Sequence, residues 1–143
     1  MTDTVSSKRR SEIMSNVKGK HTKPEMIVRK FLHEKGFRYR LHSAKLPGRP
    51  DIILLKYKTV IFVNGCFWHG HKDCRIYVMP KTNAIFWREK IDRNMARDEI
   101  IINNLKGMGW NVIILWECAL KKTKRAETLN DLVEKIISNS QKN

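Results

Sequence analysis

The apolar positions of the chain fall into segments of clearly different period. Ile27, Val28, Phe31 and Leu32 recur at helical spacing after Thr22-Lys23-Pro24-Glu25, which reads as a capping box, and Gly36 ends that helix. Phe37 to Leu41 alternates as a half-buried strand does. Pro47-Gly48-Arg49-Pro50 is a rigid turn, and two apolar runs follow it, Ile52–Leu55 and Thr59–Val63, joined by Lys56-Tyr57-Lys58. They predict an antiparallel hairpin buried on at least one face. Asn64-Gly65 breaks the second strand, and residues 64–82 form a loop rich in Cys, His and aromatics. A long helix is expected from Asn83 to about Lys106, then a strand over Trp110–Trp116. A last helix carries Leu129, Leu132, Val133, Ile136 and Ile137. Ahead of all this, residues 1–20 are polar and basic, with a helix expected from about Ser7 and Met14 and Val17 as isolated apolar anchors. The sum is one α/β domain over 21–143, a mixed sheet flanked by helices, preceded by a basic arm over 1–20.

Charge narrows the function. Lys and Arg number 29 against 14 Asp and Glu, a net +15 on 143 residues. Such an excess repels itself unless a polyanion neutralises it, and nucleic acid is the usual one. No apolar run is long enough for a membrane span. The polar stretch Met1–Ser7 lacks the apolar core of an export signal, so a cytoplasmic location is expected.

Three cysteines, an odd number, argue against a disulfide framework. Cys66, His71 and Cys74 are close in sequence, and Cys118 lies just past the end of a strand where a sheet edge can meet their loop. A Cys3His set suits tetrahedral Zn²⁺, and four protein ligands make such a site structural. His69 is then left free beside the metal, as a general base would be. Asp51 opens a buried strand directly after Pro50, where a carboxylate is costly unless it is paired or binds a cation. Antiparallel pairing of the hairpin sets Asp51 near Val63 and near His69. A carboxylate, a strand carbonyl and a histidine together are the minimum for Mg²⁺-assisted phosphodiester hydrolysis. On the long helix, Trp87, Ile91, Met95, Ile102 and Leu105 form a core arc, while Phe86, Lys90, Arg93 and Arg97 form a basic stripe that can follow a phosphate backbone. Phe67 and Trp68, consecutive in a glycine-flanked loop, suit stacking on bases or wedging between them.

The string Asn64-Gly65-Cys66-Phe67-Trp68-His69-Gly70-His71 resembles the very-short-patch repair (Vsr) mismatch endonucleases. So do Arg9-Arg10-Ser11-Glu12-Ile13-Met14, Lys23-Pro24-Glu25, Leu46-Pro47-Gly48-Arg49-Pro50-Asp51, and Phe86-Trp87 with Asn94 and Arg97-Asp98. The resemblance spans about residues 8–120. It implies a restriction-endonuclease-like fold and nicking of one strand beside the thymine of a T·G mismatch, the lesion left when 5-methylcytosine deaminates. It further implies Mg²⁺ on Asp51 and the Val63 carbonyl, water activation by His69, and support from Glu25. Zn²⁺ is implied on Cys66, His71, Cys74 and Cys118. Phe67, Trp68 and Trp87 would form an aromatic wedge, with Met14, Lys90 and Asn94 near the mismatch. The chain lacks the second acidic residue and lysine of the wider nuclease fold after Phe62-Val63, and carries Asn64 where some relatives have His. The expected partners are mismatched duplex DNA and mismatch-repair proteins, with no membrane, and the expected state is a monomer. Alternative readings are a non-cleaving binder of distorted DNA, a zinc-stapled RNA-binding protein, and a restriction endonuclease that cuts paired duplex.

Overall fold

The computed structural model describes residues 22–72, 74 and 78–141. In chain order these hold α1 (Lys23–Glu34), β1 (Arg40–Leu41), β2 (Ile52–Leu54), β3 (Thr59–Asn64), α2 (Ala84–Gly107), β4 (Asn111–Trp116) and α3 (Arg125–Gln141), with 3-10 turns at Leu55–Tyr57 and Glu117–Leu120. The expected arm over 1–20, its helix and Met14 lie outside the described residues. No helix among the described residues is long and apolar enough to cross a membrane.

α1 starts as its sequence dictates, in part. Thr22 Oγ1 accepts the Glu25 amide at 3.3 Å, and Pro24 sits in the first turn, where a missing N–H is harmless. The reciprocal half of the expected capping box is not made. Glu25 turns its carboxylate inward, to Arg29 and His42, and is 1% exposed. At the other end Gly36 takes φ +83°, and the Phe37 amide reaches back to the Leu32 carbonyl at 2.9 Å.

The four strands form one sheet in the order β1-β2-β3-β4. β2 runs antiparallel to both β1 and β3, while β3 and β4 run parallel. The expected strand over Phe37–Leu41 shrinks to Arg40–Leu41, and Leu55 leaves the strand for a 3-10 turn. One cause explains both departures. Arg40 pairs with Ile53, so Tyr39 meets the last residue of β2 and residues before it would need β2 to continue beyond Leu54, where the chain has already turned. That turn closes on Lys58 in the left-handed region at φ +50°.

Alternate strand positions feed two cores. On one face Ile52, Leu54, Ile61, Ile113 and Leu115 pack with Val28 and Leu32 of α1 and with Leu129, Leu132 and Ile136 of α3. On the other, Ile53, Val60, Phe62 and Val112 pack with Ile101 and Leu105 of α2 and with Trp110. Burying a side chain of this size stabilises by about 1.5–3 kcal/mol. A one-residue slip of any strand would exchange the two sets, so the register is firmly specified. The Pro47–Pro50 turn is fitted against α2 as well: a Cβ on Gly48, at φ +73°, would lie 2.5 Å from Ile101 Cγ2. Asp51 therefore enters β2 from a turn with little room to shift.

Candidate active site

Strand register builds the first centre. Leu41 pairs with Ile52, so the next position outward sets His42 across from Asp51. Ile52 pairs with Ile61, which brings Asp51 beside the end of β3. There Asp51 Oδ2 accepts the Val63 amide at 2.7 Å. The N–H and C=O of one strand residue project to the same side, so the Val63 carbonyl also faces toward Asp51. Glu25 reaches in from α1. Its Oε2 takes Arg29 Nη1 at 3.2 Å, and its Oε1 lies 3.0 Å from His42 Nε2. His42 Nε2 is also 3.7 Å from Asp51 Oδ1. Donor atoms of Glu25, His42 and Asp51 all lie within 4.8 Å of one another. His42, an imidazole with no role in the sequence reading, thus joins Asp51 and Glu25 at this centre.

This crowding shows in the acidity of Asp51. Burial pushes its carboxyl up to about 6, and the Glu25 charge adds to the rise, against the pull of the Val63 amide and of His42. Two carboxylates held this closely at low exposure suit a cation between them.

His69 is held by a different acid. Its Nδ1 lies 2.5 Å from Asp98 Oδ2 on α2, and both side chains are roughly a quarter exposed. With the Nδ1 proton given to Asp98, Nε2 keeps its lone pair for proton abstraction. α2 also grips the residues on either side. Asn94 Nδ2 donates to the Trp68 carbonyl at 3.0 Å. Gly70 lies so close to α2 that a Cβ would come 2.5 Å from Met95 Sδ and 3.0 Å from Ile91 Cγ2. Trp68, His69, Lys90, Asn94, Arg97 and Asp98 line an open cleft of about 360 Å³.

The second centre follows from the parallel pair. Asn64 pairs with Trp116, so Cys66 and Cys118 each follow their strand ends by two residues. The loop after β3 folds through tight turns, with the His71 amide on the Cys66 carbonyl at 2.9 Å. Donor atoms of Cys66, His71, Cys74 and Cys118 come within 4.8 Å of one another, and all three thiols are free of disulfides. His71 stacks flat on Trp116, centroids 4.0 Å apart at 6°, with Nδ1 3.5 Å from Cys118 Sγ. Glu117 Oε1 accepts the Cys66 amide at 2.9 Å and fixes the loop to the 3-10 turn. Burial pushes the Cys66 thiol up to about 12, with Cys74 and Cys118 adding to the rise, and burial raises the Cys118 thiol as well. Thiols packed this way stay protonated unless a cation joins them, and three sulfurs with one imidazole nitrogen fit a closed tetrahedral metal site.

The aromatics form a cluster beside the cleft, apart from both main cores. Phe67 meets Trp68 and Trp87 edge-on at 5.2 and 5.7 Å, and Trp68 meets Trp87 at 5.8 Å. Lys90 Nζ lies 5.8 and 5.7 Å from the two indole rings. Phe86, 54% exposed, extends the cluster to the surface. Arg93 and Arg97 stand exposed further along α2. Of the expected core arc on this helix, only Ile91 and Leu105 are buried, and Trp87, Met95 and Ile102 are half-buried. Three residues of these centres received no role from the sequence: His42, Asp98 and Glu117. The strand register could have signalled His42, and Asp98 falls seven residues after Ile91, two helical turns on.

The raised Asp51 carboxyl has a consequence for stability. Its folded value of about 6 lies above the ordinary 3.8, so the folded protein holds this proton more tightly than the unfolded chain does. That contribution is fully present below about 3.8 and is lost as pH rises through 6; two pKa units correspond to about 3 kcal/mol. Asp51→Asn keeps an oxygen for the Val63 amide and removes the charge. Without added divalent cation it should be more stable than the wild type at pH 7.5, by about 1–3 kcal/mol, with the gain shrinking toward pH 5. Urea unfolding at the two pH values measures this; a variant that is less stable at pH 7.5 contradicts the geometry.

The family profile of the DNA mismatch endonuclease Vsr matches residues 2–75. The chain is 48% identical over 137 residues to the type II nicking enzyme V.NmeAIP of Neisseria meningitidis, covering 95% of this chain and 97% of that one. It is 47% identical over 120 residues to the type II nicking enzyme V.XorIIP of Xanthomonas oryzae, covering 84% and 88%. Identity to the DNA mismatch endonuclease Vsr of Escherichia coli is 38% over 139 residues, covering 96% and 88%. The chain therefore belongs to the Vsr family of DNA mismatch endonucleases.

Proposed function

We propose that this endonuclease uses Mg²⁺ to nick one strand of duplex DNA beside the thymine of a T·G mismatch, on a restriction-endonuclease-like fold. One observation carries the reading. The Asp51–Glu25 carboxylates stand at one end of the central hairpin, and the His69–Asp98 pair lines a basic, aromatic-walled cleft. Asp51 and the Val63 carbonyl would hold the cation, with Glu25 in support. Bound there, Mg²⁺ supplies charge stabilisation for the phosphodiester and its leaving oxygen. Asp98 orients the His69 ring, and His69 Nε2 takes a proton from the attacking water. Water adds to phosphorus, the bond to the 3′ oxygen breaks, and that oxygen takes a proton from solvent while His69 returns its own, giving a 5′-phosphate and a 3′-hydroxyl. Cys66, His71, Cys74 and Cys118 would hold Zn²⁺ as a structural ion, since four protein donors leave no open position.

Phe67, Trp68 and Trp87 are read as the wedge. A T·G wobble stacks less well than its neighbours, so opening the helix beside it costs less than the few kcal/mol of an ordinary step. An inserted indole recovers about 1–3 kcal/mol of stacking. Lys90 and Asn94 would add polar contacts, and Arg93 and Arg97 phosphate contacts. Met14, the basic arm over 1–20, the monomeric state and contact with mismatch-repair proteins belong to the same reading.

Cleavage across a panel of mismatched and paired duplexes tests the whole. Nicking of T·G alone, on one strand and only with Mg²⁺, is expected. Asp51→Ala should lose at least about a thousandfold in rate while duplex affinity, set mainly by the Lys/Arg excess, stays within about threefold. Cutting of both strands of paired DNA would replace the mismatch reading with that of a restriction enzyme.

Metal analysis should find about one zinc per chain. Cys118→Ser should release it and lower the melting temperature by roughly 5–15 °C. Zinc retained at full stoichiometry in that variant removes Cys118 from the set.

Trp68→Ala should lose most T·G cleavage and abolish the fluorescence rise of an unstacked base analogue beside the mismatch. Asn94→Ala should retain that rise but discriminate less among mismatches. Near wild-type nicking by Trp68→Ala would rule out the wedge.

A further inference from the structure

The reading of Asp51 as a cation ligand gives His42 no part, yet the fold places it with care. The β1–β2 ladder puts it opposite Asp51. Its backbone sits at φ +46°, a region uncommon for residues other than glycine, though histidine enters it more readily than most. Its side chain is only 9% exposed, and Nε2 faces Glu25 Oε1 at 3.0 Å and Asp51 Oδ1 at 3.7 Å. Arg29 already engages the other oxygen of Glu25. One nitrogen and two carboxylate oxygens, from three separate elements, thus converge on one spot within 4.8 Å. Neighbouring donors on a six-coordinate ion with bonds of about 2.1 Å lie about 3 Å apart, so small movements would let all three bind one ion.

We propose that His42 is a nitrogen ligand of the cation held at Asp51, and that it raises the affinity of this centre for first-row transition ions such as Mn²⁺ relative to Mg²⁺. The inference rests on the assignment of the catalytic cation to Asp51. Mg²⁺ takes oxygen donors and gains little from an imidazole, whereas first-row ions accept nitrogen readily. A histidine that only clamped the two carboxylates would leave metal preference unchanged.

The full-length, zinc-loaded protein can be titrated with Mn²⁺ and observed by pulsed electron paramagnetic resonance. A ¹⁴N coupling to the bound Mn²⁺ is expected, changing to ¹⁵N on labelling the histidines and vanishing in His42→Gln. His42→Asn, whose new side chain tolerates the left-handed backbone, serves as a second variant. Both should bind Mn²⁺ at least about tenfold more weakly while Mg²⁺ affinity, measured by competition, changes less than about threefold. His69→Gln should keep the coupling. If the coupling survives in both His42 variants and disappears in His69→Gln, the nitrogen donor is His69 and the proposal is overturned. It is equally overturned if Mn²⁺ binds in an Asp51-dependent way with no nitrogen coupling, an outcome that leaves the cation at Asp51 intact. Unchanged Mn²⁺ binding in Asp51→Asn would instead remove the cation from Asp51, and the role of His42 with it.

Discussion

Both chemical centres depend on how β3 is paired. On one side it runs antiparallel to β2, so the start of β2, with Asp51, comes to the end of β3. On its other side it runs parallel to β4, so the two strands end together and their following loops meet. The C-terminal end of β3 is therefore where a strand start, two strand ends and a long loop coincide. Asp51 binds the Val63 amide there, and Cys66 and Cys118 converge just beyond. The cores on the two faces of the sheet hold this arrangement, because a register slip would move Asp51 and Cys66 as surely as it would expose Ile52 and Ile61.

The arrangement opposes stability where it serves chemistry. Asp51 and Glu25 carry like charges at low exposure, and the buried thiol of Cys66 is packed beside the half-buried thiols of Cys74 and Cys118. Neither group of side chains gains from folding by itself. Each is tolerated because surrounding hydrogen bonds over-determine it: the Val63 amide on Asp51, Arg29 and His42 on Glu25, Glu117 on the Cys66 amide. Residual cost of this kind is expected where a site is built to receive a cation.

Much of this was legible in the sequence because it depends on local rules. Alternation gave the hairpin, glycines and caps gave the helix ends, and the Cys66–Cys74 spacing with Cys118 gave the thiol cluster that the fold brings together. What escaped depends on partners distant in sequence. The pairing of Glu25 with Thr22 looked like a complete capping box, yet the carboxylate is drawn inward by His42, seventeen residues on. β1 was read too long because nothing local signals that β2 stops at Leu54. Hairpin proximity points to His69 and Asp51 but gives no sign of His42, which the ladder one strand further out brings to 3.7 Å from Asp51. Asp98 sat in the motif Arg97-Asp98 without a role, because its partner His69 lies across a loop whose path no periodicity encodes.

α2 is the element that holds the cleft loop and its aromatic cluster together. Ile91, Asn94, Met95 and Asp98 follow at spacings of three, one and three, which is one face of a helix. Against that face the loop presents three consecutive residues. Asn94 holds the carbonyl of Trp68, Asp98 the ring of His69, and Ile91 with Met95 the surface of Gly70. Lys90, one turn before Asn94, lies over the indoles of Trp68 and Trp87. A ligand that displaced Trp68 toward a base step would therefore pull on the same helical face that orients His69. Rigid elements position reacting groups better than loops do, and here the loop has borrowed its rigidity from a helix of 24 residues. On the proposed reading, contacts of Lys90 and Arg97 with DNA and the orientation of His69 would be properties of one surface, a physical route by which the shape of the DNA would govern its cleavage.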